Sequence, residues 1–167
     1  MIFVGKCPYR ISLLGGGSDL DWFVDENGFG NSIGFSLDKY SYTVINKKEK
    51  DSKNGMLNYS SREIYSEVDE IAHSLIKESL RYLGISEFVE MSSYGFASGG
   101  GGLGGSSSFC ISFLASLNKA FNLKINNNDL AHICSEIEIN ILGKPIGRQD
   151  QYIASLGGIN ALLFQPK

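Results

Sequence analysis

The chain has 167 residues, of which 43% are hydrophobic and 20% are charged, and its formal net charge at pH 7 is −3. This length and composition predict one soluble globular domain, or one lobe of a larger enzyme, with enough apolar surface to bury a core. The sequence shows no basic stripe of a nucleic-acid-binding protein, no apolar run of the roughly 18 residues that span a membrane, and no signal-peptide h-region.

The hydrophobic pattern and the turn residues predict an α+β domain, a mixed sheet with helices packed on it, because strands and helices follow one another without strict alternation. The first half of the chain is predicted to contain strands at 2–7 and 11–14 interrupted by Pro8, a turn at 15–19, one or two strands at 31–45, a polar turn at 47–55 and a short strand at 57–59. An amphipathic helix at 68–83, ended by Gly84, and a strand at 88–93 follow. After the glycine-rich segment we expect an apolar helix from near Ser106 to 121, a helix capped by Asn128 and ended by Gly143, a short helix at 150–156 and a last strand at 159–164.

Three cysteines and two histidines are widely spaced along the chain. None of them has the spacing of zinc ligands, so we expect no zinc site. An odd number of separated cysteines is typical of reduced thiols, which favours a cytoplasmic protein. The three are Cys7, Cys110 and Cys134.

A glycine-rich segment is the strongest functional signal. Six of the seven residues from Gly99 to Gly105 are glycine, and three serines and an apolar helix follow. Such a run costs backbone entropy, so it indicates positive φ angles or a close approach of another molecule. Unpaired N–H groups at the start of a helix suit a phosphate chain. A flexible linker is the alternative, but a linker is followed by a new domain. The segment lacks the Walker and dinucleotide patterns.

Other charged positions leave two interpretations open. Asp150 follows a glycine-proline loop, so it either caps a short helix or presents a base to a substrate. Glu136 and Glu138 lie near the end of an apolar helix, where a carboxylate needs compensation by a metal or by water. Arg10 lies between two apolar segments and needs an anion or a carboxylate as its partner. Any of the serines from Ser106 to Ser108 either caps the helix or offers a hydroxyl to Mg²⁺.

These segments, in this order, resemble the GHMP small-molecule kinases, and most of all their heptose 7-phosphate kinase branch. The likeness covers essentially the whole chain and is carried by four motifs. Cys7-Pro8-Tyr9-Arg10-Ile11 with Gly15-Gly16-Gly17-Ser18-Asp19-Leu20 resembles A-P-L-R-I…G-G-G-T-D-L, Gly102-Leu103-Gly104-Gly105-Ser106-Ser107 resembles G-L-G-S-S-S, Gln149-Asp150-Gln151-Tyr152 resembles Q-D-Q-Y, and Gly157-Gly158-Ile159-Asn160 resembles G-G-F-N.

The resemblance implies an N-terminal ATP-binding domain over residues 1–167 and transfer of the ATP γ-phosphoryl group to a sugar hydroxyl, the anomeric one of a heptose 7-phosphate. It implies Asp150 and Arg10 as catalytic residues and Ser106 and Glu138 as Mg²⁺ ligands. In galactokinase-like members the metal-binding glutamate lies twelve positions before the catalytic aspartate, which selects Glu138 over Glu136. The implied nucleotide-binding residues are Gly101, Gly102, Leu103, Gly104, Gly105, Ser106 and Ser107, and the implied sugar-binding residues are Gly17, Ser18 and Asp19.

The chain departs from the family pattern in the loop and in length. Ser98 replaces the proline that opens the phosphate loop, and Gly105 replaces its first serine, so Ser106 or Ser107 has to supply the metal ligand, and we favour Ser106. Family members usually carry a second α+β domain, so we expect this chain to be a truncated piece. The alternatives are a kinase of another sugar (fucose or galactose type), a non-catalytic nucleotide- or sugar-binding lobe, and an inactive fragment. The sequence is compatible with a homodimer.

Overall fold

The computed structural model describes residues 1–49, 51–95 and 101–166. The strands within these ranges are β1 (Ile2–Leu14), β2 (Gly30–Lys47), β3 (Gly55–Asn58), β4 (Arg62–Tyr65), β5 (Val89–Gly95) and β6 (Ile159–Phe164). The helices are α1 (Asp21–Asn27), α2 (Ser74–Tyr82), α3 (Gly105–Phe121), α4 (Asn127–Ser135) and α5 (Gln149–Leu156), together with a 3-10 turn at Val68–Glu70 and a π-helical turn at Glu136–Ile141. None of the described helices combines the length and the apolarity that crossing a membrane requires.

The strands form one mixed sheet in the order β1-β2-β5-β3-β4, and β6 also pairs with β2. The long strand β2 pairs with β1 along most of its length, with β6 through its first part and with β5 through its last part. The β3–β5 pair is parallel, and the other pairs are antiparallel. The predicted α+β class, with helices packed on a mixed sheet, is confirmed.

Helix α3 packs directly on the sheet and sets the position of the glycine-rich segment. A Cβ atom at Gly5 of β1 would lie 1.8 Å from the carbonyl oxygen of Ser112, so only glycine permits this approach. The hydroxyl of Ser108 donates to the carbonyl oxygen of Pro8 at 2.9 Å, which fixes the first turn of α3 against β1. The apolar side of α3 is buried in the core with residues of the sheet and of α2 and α4, among them Phe113, Leu114, Leu117, Ile45, Met91, Ile76, Leu80 and Leu130.

The predicted break at Pro8 is wrong, because β1 is a single strand. Pro8 pairs with Tyr40 and Arg10 pairs with Ser36, with an irregularity in the register between them. Among the described strands β1 pairs only with β2, so it lies at the sheet edge. A proline on an edge strand forfeits no ladder hydrogen bond on the outer side.

The predicted helix over 68–83 is shorter than expected. The Glu63 carboxylate accepts the backbone N–H groups of Ala72 and His73, at 2.7 and 3.2 Å, and these contacts hold the chain out of helical geometry. The ring of His73 then caps α2 by accepting the N–H of Ile76.

Two further corrections concern local elements. Asn126, and not Asn128, caps α4, because its side chain accepts the N–H of Asp129 at 3.0 Å. The short elements α1 and β4 have no counterpart in the sequence-based prediction.

Candidate active site

The end of the glycine-rich segment is held against β1. Gly102 and Gly104 have φ angles of +67° and +69°, which confirms the positive φ expected in this loop. The N–H of Arg10 donates to the carbonyl oxygen of Leu103 at 3.1 Å. Helix α3 begins directly afterwards, and the N–H groups of its first turn have no acceptor within the helix. Gly99, Gly100 and Ser98 lie outside the described residues.

Arg10 and Asp150 form a two-pronged ion pair. Nε of Arg10 donates to Oδ1 of Asp150 at 2.6 Å, and Nη2 donates to Oδ2 at 2.5 Å. The remaining Nη1 donates to the carbonyl oxygen of Gly102 at 2.8 Å. Only 11% of the Arg10 side chain and 22% of the Asp150 side chain are exposed. Such a bidentate contact fixes both position and orientation of the carboxylate.

The helix-capping interpretation of Asp150 does not match this geometry. The N-cap residue of α5 is Arg148, whose side chain makes no capping hydrogen bond, and Asp150 is the second residue of the helix. The Asp150 carboxylate accepts hydrogen bonds from Arg10 instead. It is therefore the partner that the sequence required for Arg10.

The start of α5 is held by Asp19. One oxygen of the Asp19 carboxylate accepts the N–H of Gln149 at 2.9 Å, and the other accepts the N–H of Gly17 at 3.1 Å. Only 2% of Asp19 is exposed. A Cβ atom at Gly147 would lie 2.0 Å from Oδ2 of Asp19, so the loop before α5 has to approach this carboxylate closely. Asp19 thus fixes the helix that carries Asp150.

The sugar-binding roles of Gly17, Ser18 and Asp19 stay predictions. The Ser18 hydroxyl donates to the carbonyl oxygens of Gly15 and Asn31, and it accepts the N–H of Asn31. These contacts give the turn a fixed shape beside the Arg10–Asp150 pair.

Glu138 lies fully buried in the π-helical turn and binds several side chains. Its Oε1 accepts the hydroxyl of Ser106 at 2.6 Å and the ammonium of Lys144 at 2.8 Å. Its Oε2 accepts the hydroxyl of Ser107 at 2.7 Å and the amide of Gln151 at 2.9 Å. Glu136 is partly exposed, and its carboxylate accepts the amide of Asn140 at 2.7 Å. The role of Glu138 as a metal ligand stays a prediction.

The hydrogen bonds to Glu138 also determine its ionisation. Burial alone would raise the pKa of this carboxyl, but the ammonium of Lys144 and the hydroxyls of Ser106 and Ser107 outweigh burial and lower the pKa below its usual value. Glu138 is therefore a carboxylate at neutral pH. Protonating it at acid pH removes this stabilising contribution, which is present above the unfolded-state pKa and lost as the pH falls through the lowered folded-state pKa.

The oxygens around Glu138 fit a Mg²⁺ ion. A positive charge, the Lys144 ammonium, already lies 2.8 Å from both Ser106 Oγ and Glu138 Oε1. Mg²⁺ takes oxygen ligands, and at phosphate sites it uses one or two carboxylates together with phosphate oxygens. No group of three or more His, Cys, Asp or Glu side chains in the described residues forms a metal site by itself. One carboxylate and one hydroxyl would therefore need further oxygen ligands to hold Mg²⁺.

A cavity of about 730 Å³ opens beside the start of α3, large enough for a small organic ligand. Ser106 and Lys144 line it, together with an aromatic group formed by Tyr59, His73 and Phe109. The ring centroids of His73 lie 4.7 Å from Tyr59 and 5.5 Å from Phe109. Burial lowers the pKa of His73, although the nearby Glu63 raises it in part, so the ring is neutral at pH 7.

Residues 69–158, just over half of the chain, match the family model of the GHMP kinases N terminal domain. The chain belongs to the GHMP kinase family. The D-glycero-alpha-D-manno-heptose 7-phosphate kinase of Campylobacter jejuni is 28% identical over 95% of this chain, and the galactokinase of Thermococcus kodakarensis is 35% identical over 39% of it. This chain spans 50% of the length of the first relative and 19% of the second.

Solved structures show the same fold. A D-glycero-D-manno-heptose 1-phosphate kinase from Bacteroides thetaiotaomicron has a TM-score of 0.88 at 24% identity, over 99% of this chain and 57% of that one. Galactokinase of Lactococcus lactis, complexed with galactose, has a TM-score of 0.77 at 21% identity, over 93% of this chain and 42% of that one. At these identities the likeness establishes the GHMP fold alone.

Sequence reasoning missed several residues of the candidate site in this GHMP kinase domain. Gln151 and Lys144 lie in the motif around Asp150, but nothing in the pattern indicates that they bind Glu138. Tyr59 and His73 come from separate elements and have no motif of their own. The one available signal was their residue type, since aromatic side chains often line nucleotide pockets, and it does not select these two among eight tyrosines and two histidines.

Proposed function

We propose that this GHMP domain binds ATP with Mg²⁺ and that the whole enzyme transfers the γ-phosphoryl group to a sugar hydroxyl. One observation carries the proposal. Arg10 joins the Asp150 carboxylate to the carbonyl of Gly102, so a candidate base lies next to the glycine loop that precedes α3. A base, a guanidinium and a phosphate-binding loop in contact are what transfer to a hydroxyl needs.

The backbone from Gly101 to Ser107 holds the phosphates in this proposal. Positive φ angles at Gly102 and Gly104 turn the chain so that N–H groups of the loop and of the first turn of α3 face the ligand. The aromatic side chains of Tyr59, His73 and Phe109, which line the cavity, accommodate the adenine of ATP.

Asp150 deprotonates the acceptor. As the hydroxyl oxygen forms its bond to the γ-phosphorus, the bond from that phosphorus to the ADP oxygen breaks, and the hydroxyl proton passes to the Asp150 carboxylate. Arg10 keeps the carboxylate oriented through its two hydrogen bonds and places positive charge beside the transferring group.

Ser106 and Glu138 would hold the metal. When bound, Mg²⁺ neutralises phosphate oxygens of the nucleotide. The hydroxyl of Ser106 is exposed toward the cavity, whereas Ser107 is buried, which supports Ser106 as the ligand. Glu138 supplies the negative charge.

The acceptor proposed is the anomeric hydroxyl of a heptose 7-phosphate, bound at the turn of Gly17, Ser18 and Asp19, in which the buried Asp19 carboxylate holds the backbone in place. The heptose kinase relative that matches 95% of the chain supports this choice. The galactokinase match keeps a galactose- or fucose-type acceptor as the competing candidate. Phosphorylation assays of the whole enzyme with each sugar separate these acceptors. Three buried cysteines without disulfides support a reducing compartment, such as the cytoplasm.

The two serines give a sharp test of the metal site. We expect Ser106→Ala to weaken Mg-ATP binding by about tenfold or more while changing metal-free ATP binding little, because it removes a metal ligand. Ser107→Ala loses a hydrogen bond to the other oxygen of the same carboxylate but leaves the cavity side intact. Titration calorimetry with Mg-ATP and with ATP in EDTA measures both affinities.

Ser107→Ala is the matched control, since both serines donate to Glu138. Equal losses for Ser106→Ala with and without Mg²⁺ would show that this hydroxyl only shapes the loop. A larger metal-dependent loss for Ser107→Ala would move the ligand assignment to Ser107.

A further inference from the structure

Lys144 fills the space beside the two oxygens proposed as metal ligands, which are hydrogen-bonded to each other at 2.6 Å. Its Nζ donates to Ser106 Oγ and to Glu138 Oε1, both at 2.8 Å. We call this space, within reach of both oxygens, the metal position. A side-chain cation therefore lies where the proposed function places Mg²⁺.

We propose that Lys144 is a tethered cation that fills the metal position in the nucleotide-free protein and has to leave it when Mg-ATP binds. The inference rests on the proposed function, because it takes Ser106 and Glu138 as the metal ligands. It adds a residue that controls when the metal can bind.

The buried charge of Glu138 explains why a cation is needed there. A fully buried carboxylate without a counter-charge is strongly destabilising. Within the described residues, the other hydrogen-bond partners of Glu138 are the uncharged side chains of Ser106, Ser107, Gln151 and Cys134. Lys144 thus supplies the positive charge in contact with this carboxylate.

Lys144 and a metal cannot occupy the metal position together. Two cations that share the same pair of oxygens repel each other at close range. The Lys144 side chain can move away from the metal position, because 33% of it is exposed and it lines the 730 Å³ cavity. Its long aliphatic chain allows the ammonium to turn into the cavity without a change in the backbone.

The exchange links the metal to the nucleotide. Without ATP, a metal has to displace Lys144 and gains only the oxygens of Ser106 and Glu138. With ATP, phosphate oxygens complete the metal's ligands and also offer an anion to the displaced ammonium. Lys144 thereby opposes metal binding in the absence of nucleotide.

Nucleotide-free metal binding measures this opposition directly. We expect Lys144→Met to bind Mn²⁺ more tightly than the wild type by about 5- to 150-fold, the usual range for coupling between two binding events. Electron paramagnetic resonance of free Mn²⁺ gives the dissociation constant without ATP or catalysis. The variant should also melt at a lower temperature, and Mn²⁺ should raise its Tm more than that of the wild type. Lys144→Gln keeps a hydrogen-bond donor without charge, and should show the same gain if Lys144→Met folds poorly.

Lys48→Met is the matched control. Lys48 donates to Glu90 at 2.9 Å, a similar contact that involves neither of the proposed metal ligands, so its loss should leave Mn²⁺ affinity unchanged. Unchanged Mn²⁺ affinity in both Lys144 variants, or an equal gain in Lys48→Met, overturns the assignment of Lys144. If the wild type binds no Mg-ATP, the proposed function fails; if it binds Mg-ATP and the Lys144 variants show no gain, only this inference fails.

Discussion

We expect Asp150→Asn to lower the turnover of the whole enzyme by about 10²–10⁴-fold, the range for loss of a general base. Asparagine keeps the shape of the side chain but cannot take the proton of the acceptor hydroxyl. The affinity for Mg-ATP should change little, because the carboxylate contacts Arg10 and no residue of the proposed metal site among its described hydrogen bonds. Initial rates under saturating ATP and acceptor give turnover, and calorimetry gives the affinity.

Asp129→Asn is a suitable control for this substitution. Asp129 lies in the first turn of α4, as Asp150 lies in the first turn of α5, and its carboxylate accepts a hydrogen bond from Asn126. Both substitutions therefore remove a negative charge near a helix N-terminus. Turnover that survives in Asp150→Asn would show that Asp150 is not the base, whatever the effect on stability.

The second large effect is expected for Gly104→Val, which should abolish measurable Mg-ATP binding. Gly104 has a φ of +69°, which a β-branched residue resists. Its added Cβ would lie 3.0 Å from Cγ and 3.1 Å from Nε of Arg10. The substitution thus both straightens the loop and pushes the guanidinium away from Asp150.

Gly84→Val separates backbone strain from the loss of the site. Gly84 ends α2 with a φ of +64°, and a Cβ there meets nothing within 4 Å. Both variants should lose stability to a similar strain, about 1–3 kcal/mol, as measured by denaturant unfolding. Mg-ATP affinity should fall only in Gly104→Val, and an equal fall in both would attribute the effect to general destabilisation.

The sequence predicts many of the helix and strand boundaries, because glycine residues mark where elements end. Gly84 and Gly143 end their helices with positive φ angles, and the strand at 88–93 leads into the glycine segment as expected. The failures have tertiary causes. Pro8 remains in a strand because that strand lies at the sheet edge, and the start of α2 moves to Ser74 because the distant Glu63 binds the preceding N–H groups.

For the candidate site, too, the sequence predicts individual residues better than the contacts between them. Motif order and a twelve-residue spacing, both taken from the family resemblance, single out Glu138, Asp150 and Arg10 as candidates. The structure brings Arg10 and Asp150 into contact, and the roles of all three stay predictions. The sequence did not predict contacts between residues far apart in the chain, because no local pattern indicates which groups meet. The hydrogen bond from the N–H of Gln149 to Asp19 is one such contact. The homodimer and the single domain over residues 1–167 stay predictions.

Titration of this chain with Mg-ATP by calorimetry tests the central claim most directly. The account predicts saturable heat that requires Mg²⁺, that persists in Asp150→Asn and that is lost in Gly104→Val. An absence of heat, together with an unchanged Tm at millimolar Mg-ATP, would contradict the claim that the glycine loop and the Ser106–Glu138 pair form a nucleotide site.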